Sequence, residues 1–489
     1  MRLVTTRAGV SLDDYAADAE LVAAVEGLRA EAEQRVAALR GRVVWMVNST
    51  ATGGGVAELL PTQVSILREL GVDVRWVVID ADRPEFFPLT KRLHNMIHGA
   101  AEPPLAPADR QLYEAVSRAN ADALLGVLAP NDVLVVHDPQ PLGAGALVKR
   151  ELGVRTIWRC HIGVDERPPA ADDAWEFLRP YATVYDRAVF SAEEYIPPFL
   201  SSCSSVVHPT IDPLSHKNRD LSLHKLVGIL SGAALAVPHW PLITPPFPDA
   251  ARRLQAGGTF EPATLPEDIG LLARPIILQV SRWDRLKGFA PLLEAFRIFK
   301  LRALRGEYPV RGARHQRRVE VARLVLAGPE PESIQDDPEA LGVLDELRAR
   351  YVGLESEVQR DVAIVALPMR SRKNNALMVN ALQRCADVVV QNSLREGFGL
   401  TVAEAMWKRK PVLGSARAFG VRMQVRDGVD GMLAPDPEDA VALGEAIHEM
   451  LASPNRLEDW GRNAQLRVHQ EFLMFTELGR WLSLLTDLD

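Results

Sequence analysis

The sequence is poor in cysteine, which limits the kinds of site it can form. Its three cysteines, Cys160, Cys203 and Cys385, are far apart in the 489 residues, and no CxxC pair occurs. Scattered single cysteines exclude the common zinc and redox motifs. Because unpaired thiols are typical of a reducing compartment, we expect a cytoplasmic protein.

Long hydrophobic runs and an excess of positive charge are also lacking. The apolar stretches are too short to span a bilayer, and the first twenty residues contain acids but no apolar signal-peptide core. The chain has 64 acidic and 56 basic residues, a formal net charge of -8. This balance argues against nucleic acid and acidic membranes as partners. The basic cluster 311–318 is predicted to be a solvent-exposed loop, and whether the chain forms a homodimer stays open.

Strands and helices alternate along the chain in two successive series. A chain of this length exceeds one compact core, so we expect two domains. Alternating strands and helices form parallel sheets covered on both faces. The prolines of segment 208–215 interrupt the alternation and predict a hinge. The sequence therefore predicts an α/β protein with doubly wound domains at 1–210 and 211–469.

The segment REGFGLTVAEAMWKRKPV (395–412) carries the strongest functional signal. A strand is predicted to end near Asn392, and a glycine-rich turn then leads into a helix. Glycines allow backbone N–H groups to approach a ligand, and a helix N-terminus favours an anion. Glu404 lies eight residues after Glu396, one turn into that helix, where it can accept hydrogen bonds from hydroxyl groups. The pattern favours a ligand site over a simple strand–turn–helix with a capping acid.

Other polar groups follow predicted strands. Arg282 and Lys287 follow the strand PIILQV, where cations can reach a diphosphate. In the N-terminal domain, a Gly-Gly-Gly run (53–55), HDPQP (137–141) and WRCHIG (158–163) each follow a strand. Ligands of doubly wound sheets bind beyond the carboxyl ends of the strands, so we expect these segments to line a cleft shared by the two domains.

These residues resemble a known enzyme family. Glu396 and Glu404 resemble the E-x7-E signature of the retaining glycosyltransferases of family 4, which have the GT-B fold of two Rossmann-like domains facing each other across a cleft. Further strings, spread over nearly the whole chain, resemble the trehalose glycosyl-transferring synthases within that family. They are VNSTATGGGVAELL (47–60), RPEFFPLTKRLHNMIHG (83–99), HDPQPL (137–142), WRCHI (158–162), IDPLSHKN (211–218), VSRWDRLKGF (280–289), NALQRCADVVVQNSLREGFGLTVAEAMWK (380–408) and DGVDGMLAPD (427–436).

The resemblance implies a role for each matching residue. The catalytic group would be His161 beside the reacting carbon, Arg282 and Lys287 on the donor diphosphate, and Glu396 on the donor hexose. The remaining donor-binding residues would be Gly54, Gly55, Gly397, Phe398, Gly399, Leu400, Thr401 and Glu404. Glu85, His137 and Asp138 would bind the acceptor. The resemblance also implies that a C-terminal helix, within 470–489, packs on the N-terminal domain.

The resemblance further implies the reaction. Glucose would pass from a nucleoside-diphosphate-glucose to a second glucose, forming trehalose with retained configuration. The nucleotide-sugar is then a substrate, and the chemistry requires no metal or other cofactor. No covalent nucleophile is evident, so we expect front-face attack assisted by the leaving group. The alternative is another hexose donor or another small sugar or polyol acceptor.

Two positions depart from the pattern of the trehalose subgroup. Gly163 follows His161-Ile162 where an acidic residue is expected, and Phe419 stands where relatives carry a glycine. A ring at position 419 is expected to narrow the sugar pocket. Both departures bear on the identity of the substrates more than on the class of reaction.

Three other functions compete with the transferase. The first is a nicotinamide-dependent oxidoreductase, because the glycine run 53–55 and Asp80 or Asp82 after the second strand fit a loose dinucleotide-binding pattern, but the run lacks G-x-G-x-x-G. Asp80 and Asp82 form a D-x-D pair, as in metal-dependent transferases, although an ordinary acid pair after a strand is the simpler interpretation. A silent carbohydrate-binding homologue is disfavoured because the basic and glutamate motifs are present together.

Overall fold

The chain divides into two compact units. The computed structural model describes residues 1–5, 11–51, 55–99, 102–166, 168–238, 245–264, 267–309, 312–334 and 338–487. Unit 1 comprises Met1–Pro209 and Met474–Asp489, and unit 2 comprises Thr210–Leu473. The chain therefore leaves unit 1 inside the predicted hinge segment 208–215 and returns to it with its last helix.

The strands of the described residues form one sheet in each unit. Unit 1 contains β1 (Arg2–Leu3), β2 (Val44–Asn48), β3 (Val74–Val78), β4 (Val133–His137), β5 (Arg155–Arg159), β6 (Arg187–Phe190) and β7 (Ser204–Val206). Unit 2 contains β8 (Arg252–Leu254), β9 (Phe260–Pro262), β10 (Ile276–Val280), β11 (Arg323–Pro329), β12 (Val362–Leu367), β13 (Val388–Gln391), β14 (Val412–Ser415) and β15 (Gly431–Ala434).

Helices connect most of these strands. Those that precede unit 2 are α1 (Leu12–Ala16), α2 (Val22–Arg35), α3 (Gly55–Glu69), α4 (Phe86–Ile97), α5 (Pro107–Leu125), α6 (Leu142–Leu152) and α7 (Pro169–Ala182). The remainder are α8 (Leu223–Gly232), α9 (Phe289–Leu304), α10 (Ala313–Val321), α11 (Pro338–Val352), α12 (Ser356–Gln359), α13 (Arg372–Cys385), α14 (Leu400–Trp407), α15 (Phe419–Gln424), α16 (Ala440–Leu451), α17 (Pro454–Glu471) and α18 (Met474–Thr486).

The sheet of unit 1 has the order β1-β3-β2-β4-β5-β6-β7. Its strands are parallel except β1, which pairs antiparallel with β3. Strands β2 and β4 are buried along their whole length, as expected for a sheet with helices on both faces. The strand order reverses between β2 and β4, and ligands of such sheets bind at this switch point.

The sheet of unit 2 has the order β15-β14-β13-β10-β11-β12-β8-β9. Strands β10 to β15 are parallel, whereas β8 and β9 extend one edge in antiparallel pairing. The chain runs from β10 outward through β11 and β12, then returns to place β13 on the other side of β10. The switch point therefore lies between β10 and β13. The doubly wound α/β architecture predicted from the sequence is present in each unit.

Helix α18 completes unit 1 although it follows unit 2 in the chain. Its apolar face is buried, with Trp481 and Leu482 inaccessible to solvent. Ser483 donates a hydrogen bond to Glu31 of α2 over 3.1 Å, and the ring of Phe475 meets that of Tyr15 edge-on at 5.3 Å between centroids. Residues far apart in the sequence thus form a single core.

A cluster of buried charges lies at the amino ends of the unit 2 strands. Asp361, which precedes β12, receives Arg274 at 2.5 Å, Lys300 at 2.7 Å and Arg323 at 3.6 Å. Lys300 and Arg323 also donate to backbone carbonyls, including that of Ala322 at 3.2 Å. The cluster joins β10, β11, β12 and α9 at the amino ends of the strands, whereas ligands of such sheets bind beyond the carboxyl ends.

Two local predictions were wrong. The segment 18–40, rich in Ala, Leu, Glu and Arg, predicts one long helix, but α2 begins at Val22 and ends at Arg35, and a 3-10 helix, Val36–Leu39, follows. The basic cluster 311–318 is not a loop in its described part, since α10 runs through Ala313–Val321. Arg318 of this helix pairs with Asp387 at 2.8 Å, so tertiary contacts stabilise it.

No helix among the described residues is long and apolar enough to cross a membrane.

Candidate active site

The structure brings two of the motifs together at the switch point of unit 2. Lys287 follows β10, and Glu396 follows β13, the strand paired directly with β10. The Nζ atom of Lys287 donates to Oε2 of Glu396 over 2.5 Å, and both side chains are about seven-eighths buried, with 15% and 13% exposed. Gln391 and Ser393 also donate to this oxygen, each over 3.1 Å. A cation and a carboxylate are thus held in place where this fold binds ligands.

A glycine makes this arrangement possible. Gly288 follows Lys287 with a left-handed φ of 60°, and an added Cβ would lie 2.1 Å from the carbonyl oxygen of Asn392. Asn392 donates its amide to the carbonyl of Gly288 over 3.0 Å. Since only glycine fits this close approach, Gly288 fixes the loop after β10 against the loop after β13.

Arg282 is placed differently from Lys287. Its side chain is 78% exposed, and its guanidinium lies 3.8 Å from the carboxylate of Asp284. The structure therefore sets Arg282 on the surface beyond β10, where its long side chain is not fixed by a strong ion pair.

The glycine-rich turn leads into α14 as the sequence predicted. Gly399 precedes the helix with φ 80°, and the structure shows no side-chain cap at this N-terminus. Thr401 donates its hydroxyl to Gln391 over 2.9 Å. An uncapped helix N-terminus offers backbone N–H groups to an anion. Gly397, Phe398, Gly399, Leu400 and Thr401 therefore lie where a phosphate can be bound.

Glu404 is buried one turn into α14, with 4% of its surface exposed. Its Oε1 atom lies 3.9 Å from Nζ of Lys217, whereas its Oε2 atom is buried and has no hydrogen-bond partner among the described residues. A buried carboxylate oxygen without a donor costs free energy. The hydroxyls of a ribose are groups that would satisfy it.

Sequence reasoning missed the residues that support Glu404. Lys408, one helical turn further on, donates from its buried Nζ to the carbonyl of Glu404 over 2.9 Å and to Oδ1 of Asn218 over 3.1 Å. Burial lowers the pKa of Lys408 to about 7, against the opposing effect of Glu404. Asn218 ends the string IDPLSHKN (211–218), which resembles the trehalose subgroup but has no chemical signal of its own. Its position before α8 gave no sign that it would meet α14.

Unit 1 brings two histidines together. His137 is the last residue of β4, and His161 follows the neighbouring strand β5. Nδ1 of His137 lies 3.2 Å from Nε2 of His161, with the two rings inclined by only 12°. Oδ1 of Asp138 accepts the backbone N–H of His161 over 2.8 Å, and Asp138 has a left-handed φ of 64°. This unusual backbone geometry for a non-glycine residue directs the Asp138 carboxylate to the loop after β5.

Burial shifts the pKa values of His137, His161 and Asp138. Burial, followed by the charge of Arg159, lowers the pKa of His137 to about 3 and that of His161 well below its usual value. Burial raises the pKa of Asp138 to about 6. The two imidazoles are therefore neutral at physiological pH. His137 is only 2% exposed, so its ring meets His161 rather than solvent.

The remaining candidate residues of unit 1 are not brought together with the two histidines by any contact among the described residues. Glu85 is exposed and precedes α4, and Gly55 is the first residue of α3. Gly54 lies outside the described residues. Asp80 exchanges backbone hydrogen bonds with the Asn120 side chain. Within the described ranges, no three His, Cys, Asp or Glu residues are grouped to hold a metal ion.

The two departures from the family pattern have local structural explanations. An added Cβ at Gly163 would lie 2.4 Å from Cβ and Cγ of Tyr195, so the Tyr195 ring takes the space that a side chain would need. Phe419 begins α15 and is buried under Arg422, whose guanidinium lies 5.2 Å from the ring centroid. The close approach to the turn at Phe398 is made by Gly420, where an added Cβ would lie 2.5 Å from Cα of Phe398.

The chain is similar to known proteins over nearly its whole length. Residues 46–197 match the family model "Trehalose synthase, N-terminal domain", and residues 367–467 match "Glycosyl transferases group 1". A trehalose synthase of Thermococcus litoralis is 33% identical over 480 residues, which cover 98% of this chain and 97% of that protein. A trehalose synthase of Rubrobacter xylanophilus is 33% identical over 452 residues, covering 91% and 90%.

Solved structures confirm the GT-B fold. A trehalose-6-phosphate enzyme from E. coli, bound with UDP-2-fluoro glucose, matches with a TM-score of 0.61 at 16% identity, covering 91% of this chain and 99% of that one. Identity this low shows the fold alone, whereas the full-length relatives at 33% show the family. The chain therefore belongs to the trehalose synthase family of glycosyltransferases.

Proposed function

We propose that the protein transfers glucose from a nucleoside-diphosphate-glucose to free glucose, with retention, and so forms α,α-trehalose. The observation that carries the proposal is the Lys287–Glu396 pair at the switch point of unit 2, at 2.5 Å, beside the uncapped start of α14. In this arrangement Lys287 can bind a diphosphate, Glu396 can bind a sugar, and the N-terminus of α14 favours negative charge.

The demanding step is departure of the nucleoside diphosphate. The bond between C1 of the sugar and the phosphate oxygen breaks, and its electron pair goes to the phosphate. Lys287 and the backbone N–H groups at the start of α14 would stabilise that growing charge, with Arg282 added once its exposed side chain turns toward the ligand. A fixed donor of this kind contributes about 2.7–4 kcal/mol to the transition state.

The acceptor hydroxyl would attack C1 on the face from which the phosphate departs. A new C1–O bond forms, and the hydroxyl proton passes to the departing phosphate oxygen. Glu396 would hold the hexose, and Glu404 would accept hydrogen bonds from the ribose through its buried, unpartnered Oε2. His161 would lie beside the reacting carbon, and Glu85 and Asp138 would contact the acceptor, whereas His137, which is only 2% exposed, would act on it through His161. This chemistry needs no metal or other cofactor.

The test is a product assay. The protein is incubated with ADP-, UDP- or GDP-glucose and unlabelled glucose, and the disaccharide is identified by NMR from its anomeric signals. We expect α,α-trehalose with at least one donor, in the presence of EDTA. Absence of any disaccharide or nucleoside diphosphate with all three donors would contradict the proposal. Transfer to a polyol but not to glucose would remove the trehalose assignment and leave the transferase.

Phe419 favours one alternative, namely a different hexose donor. The ring is buried at the start of α15, at a position where the family resemblance predicts a glycine. If Phe419 shapes the sugar pocket, Phe419→Gly changes the ranking of GDP-mannose, UDP-galactose and NDP-glucose as donors. An unchanged ranking removes Phe419 from donor selection.

We also propose that this reaction takes place in the cytoplasm. The support is the absence of disulfide pairing at Cys160, Cys203 and Cys385, which suits a reducing compartment.

A further inference from the structure

The contact between His137 and His161 restricts where each ring carries its proton. Both rings are neutral, and a neutral imidazole has one N–H and one bare nitrogen. Their facing atoms, Nδ1 of His137 and Nε2 of His161, are 3.2 Å apart. One of the two must donate and the other accept, so the tautomers of the two rings are coupled.

The surroundings of His137 decide between the two arrangements. Its other nitrogen, Nε2, is buried and has no hydrogen-bond partner among the described residues. If His161 were the donor, His137 would carry its proton on Nε2, and a buried N–H would be left without an acceptor. Unpaired buried N–H groups are rare because no hydrogen bond in the protein replaces the hydrogen bond to water that the group loses.

The charge of Arg159 helps to keep both rings neutral. This arginine, the last residue of β5, is fully buried, and its guanidinium nitrogens have no acceptor among the described residues. Its positive charge disfavours a proton on either ring.

We propose that His137 is a positioning residue that fixes the proton of His161 on Nδ1, so that His161 presents a hydrogen-bond donor to the donor sugar. His137 donates from Nδ1 to Nε2 of His161, which leaves Nδ1 of His161 as the N–H. No described residue bonds to that nitrogen, and His161 is partly exposed. The second half of the proposal rests on the proposed function, in which His161 lies beside the sugar.

This tautomer also limits the catalytic roles that are open to His161. A ring whose Nε2 already accepts a hydrogen bond and whose Nδ1 carries the proton cannot act as a general base toward the acceptor. The backbone N–H of His161, bonded to Asp138 at 2.8 Å, and the near-parallel His137 ring hold its orientation. His161 is thus a fixed donor to a sugar oxygen.

The first test needs no variant and no substrate. The protein is prepared with ¹⁵N in its histidine rings, and long-range ¹H–¹⁵N NMR at pH 7.5 reports which nitrogen of each ring carries hydrogen. His137→Asn and His161→Gln spectra assign the two rings. We expect Nδ1–H for both. An Nε2–H signal for His161 would overturn the proposal, whatever the activity.

The second test compares two isosteric variants. The amide nitrogen of Asn can take the place of Nδ1 and donate, whereas Leu has the same shape and no donor. We expect His137→Leu to lower kcat for transfer about tenfold, the effect of one lost hydrogen bond, with little change in the KM for the nucleotide-sugar. His137→Asn should restore part of that loss and should keep His161 as Nδ1–H.

The two proposals fail in different ways. If wild-type protein shows Nδ1–H on His161 but His137→Leu transfers as fast as His137→Asn, the tautomer has no role in transfer and the second half is wrong. If no nucleotide-sugar is turned over by the wild type, the proposed function fails, while the NMR result still decides the position of the proton.

Discussion

Among single residues, Lys287 is the cation that the geometry places most firmly in the proposed donor site. Its Nζ is held at 2.5 Å from Glu396, so it is already oriented before a diphosphate arrives. We expect Lys287→Ala to lower kcat about 10²–10³-fold, the loss seen when one preorganised donor to a developing negative charge is removed. The measurement is the initial rate of nucleoside diphosphate release in the presence of glucose.

Arg285 provides the matched control for Lys287. It lies two residues earlier in the same 3-10 helix, Arg285–Lys287, and its side chain is exposed. We expect Arg285→Ala to transfer at nearly the wild-type rate with an unchanged melting temperature. If both variants lose activity equally, the effect belongs to the loop rather than to the ammonium group of Lys287.

At Gly163, steric crowding explains the departure from the family pattern without reference to the substrate. Because an added Cβ would lie 2.4 Å from the Tyr195 side chain, we expect Gly163→Ala to destabilise unit 1 by about 1–3 kcal/mol through overpacking. In a Tyr195→Ala background the same change should cost much less. Thermal melting of the two single variants and the double variant measures the coupling, and simple additivity would contradict the explanation.

At the level of elements, the buried cluster around Asp361 joins the amino ends of three strands to α9. Removing its single carboxylate leaves the cations Arg274, Lys300 and Arg323 close together in a buried site. We expect Asp361→Asn to lower the free energy of unfolding by about 3–5 kcal/mol, as for other broken buried ion pairs. Urea unfolding measures this, and Asp345→Asn, whose carboxylate pairs with Arg348 at the surface, should change stability by less than about 1 kcal/mol.

The same cluster predicts a pH dependence. Burial raises the pKa of Asp361, but Lys300 and Arg274 outweigh burial and leave the pKa below its ordinary value. A carboxyl whose pKa is lowered by folding adds stability above its unfolded pKa and loses it as pH falls through the folded pKa. The stability difference between wild type and Asp361→Asn should therefore shrink in acid. A difference that grew toward low pH would contradict this assignment.

The elements that carry the donor motifs were predictable because their signals are local. The strands β10 and β13 are apolar except for one glutamine each, and the glycines that follow them mark turns at a strand end. The support of Glu404 was not predictable, because Lys408 and Asn218 are 190 residues apart in the sequence. Helix α10 was missed for a related reason, since its contact with Asp387 comes from a distant segment.

At the level of the whole molecule, the two units should respond separately to core substitutions. Trp481 of α18 is buried in unit 1, and Trp460 of α17 is buried in unit 2. Replacing a buried Trp with Ala costs about 3–5 kcal/mol. In differential scanning calorimetry we expect Trp481→Ala to lower one transition and Trp460→Ala to lower the other. A single transition shifted alike by both variants would show that the units unfold as one.

The placement of α18 has a consequence for how the protein is made. Chains usually acquire structure domain by domain from the N-terminus as they leave the ribosome. Here all of Thr210–Leu473 is synthesised between the first part of unit 1 and the helix that completes it. Until Met474–Thr486 emerges, the surface that later packs against Trp481 and Leu482 has no cover. The unit begun first is therefore finished last, and during that interval its exposed apolar surface makes the nascent chain a natural client for a chaperone.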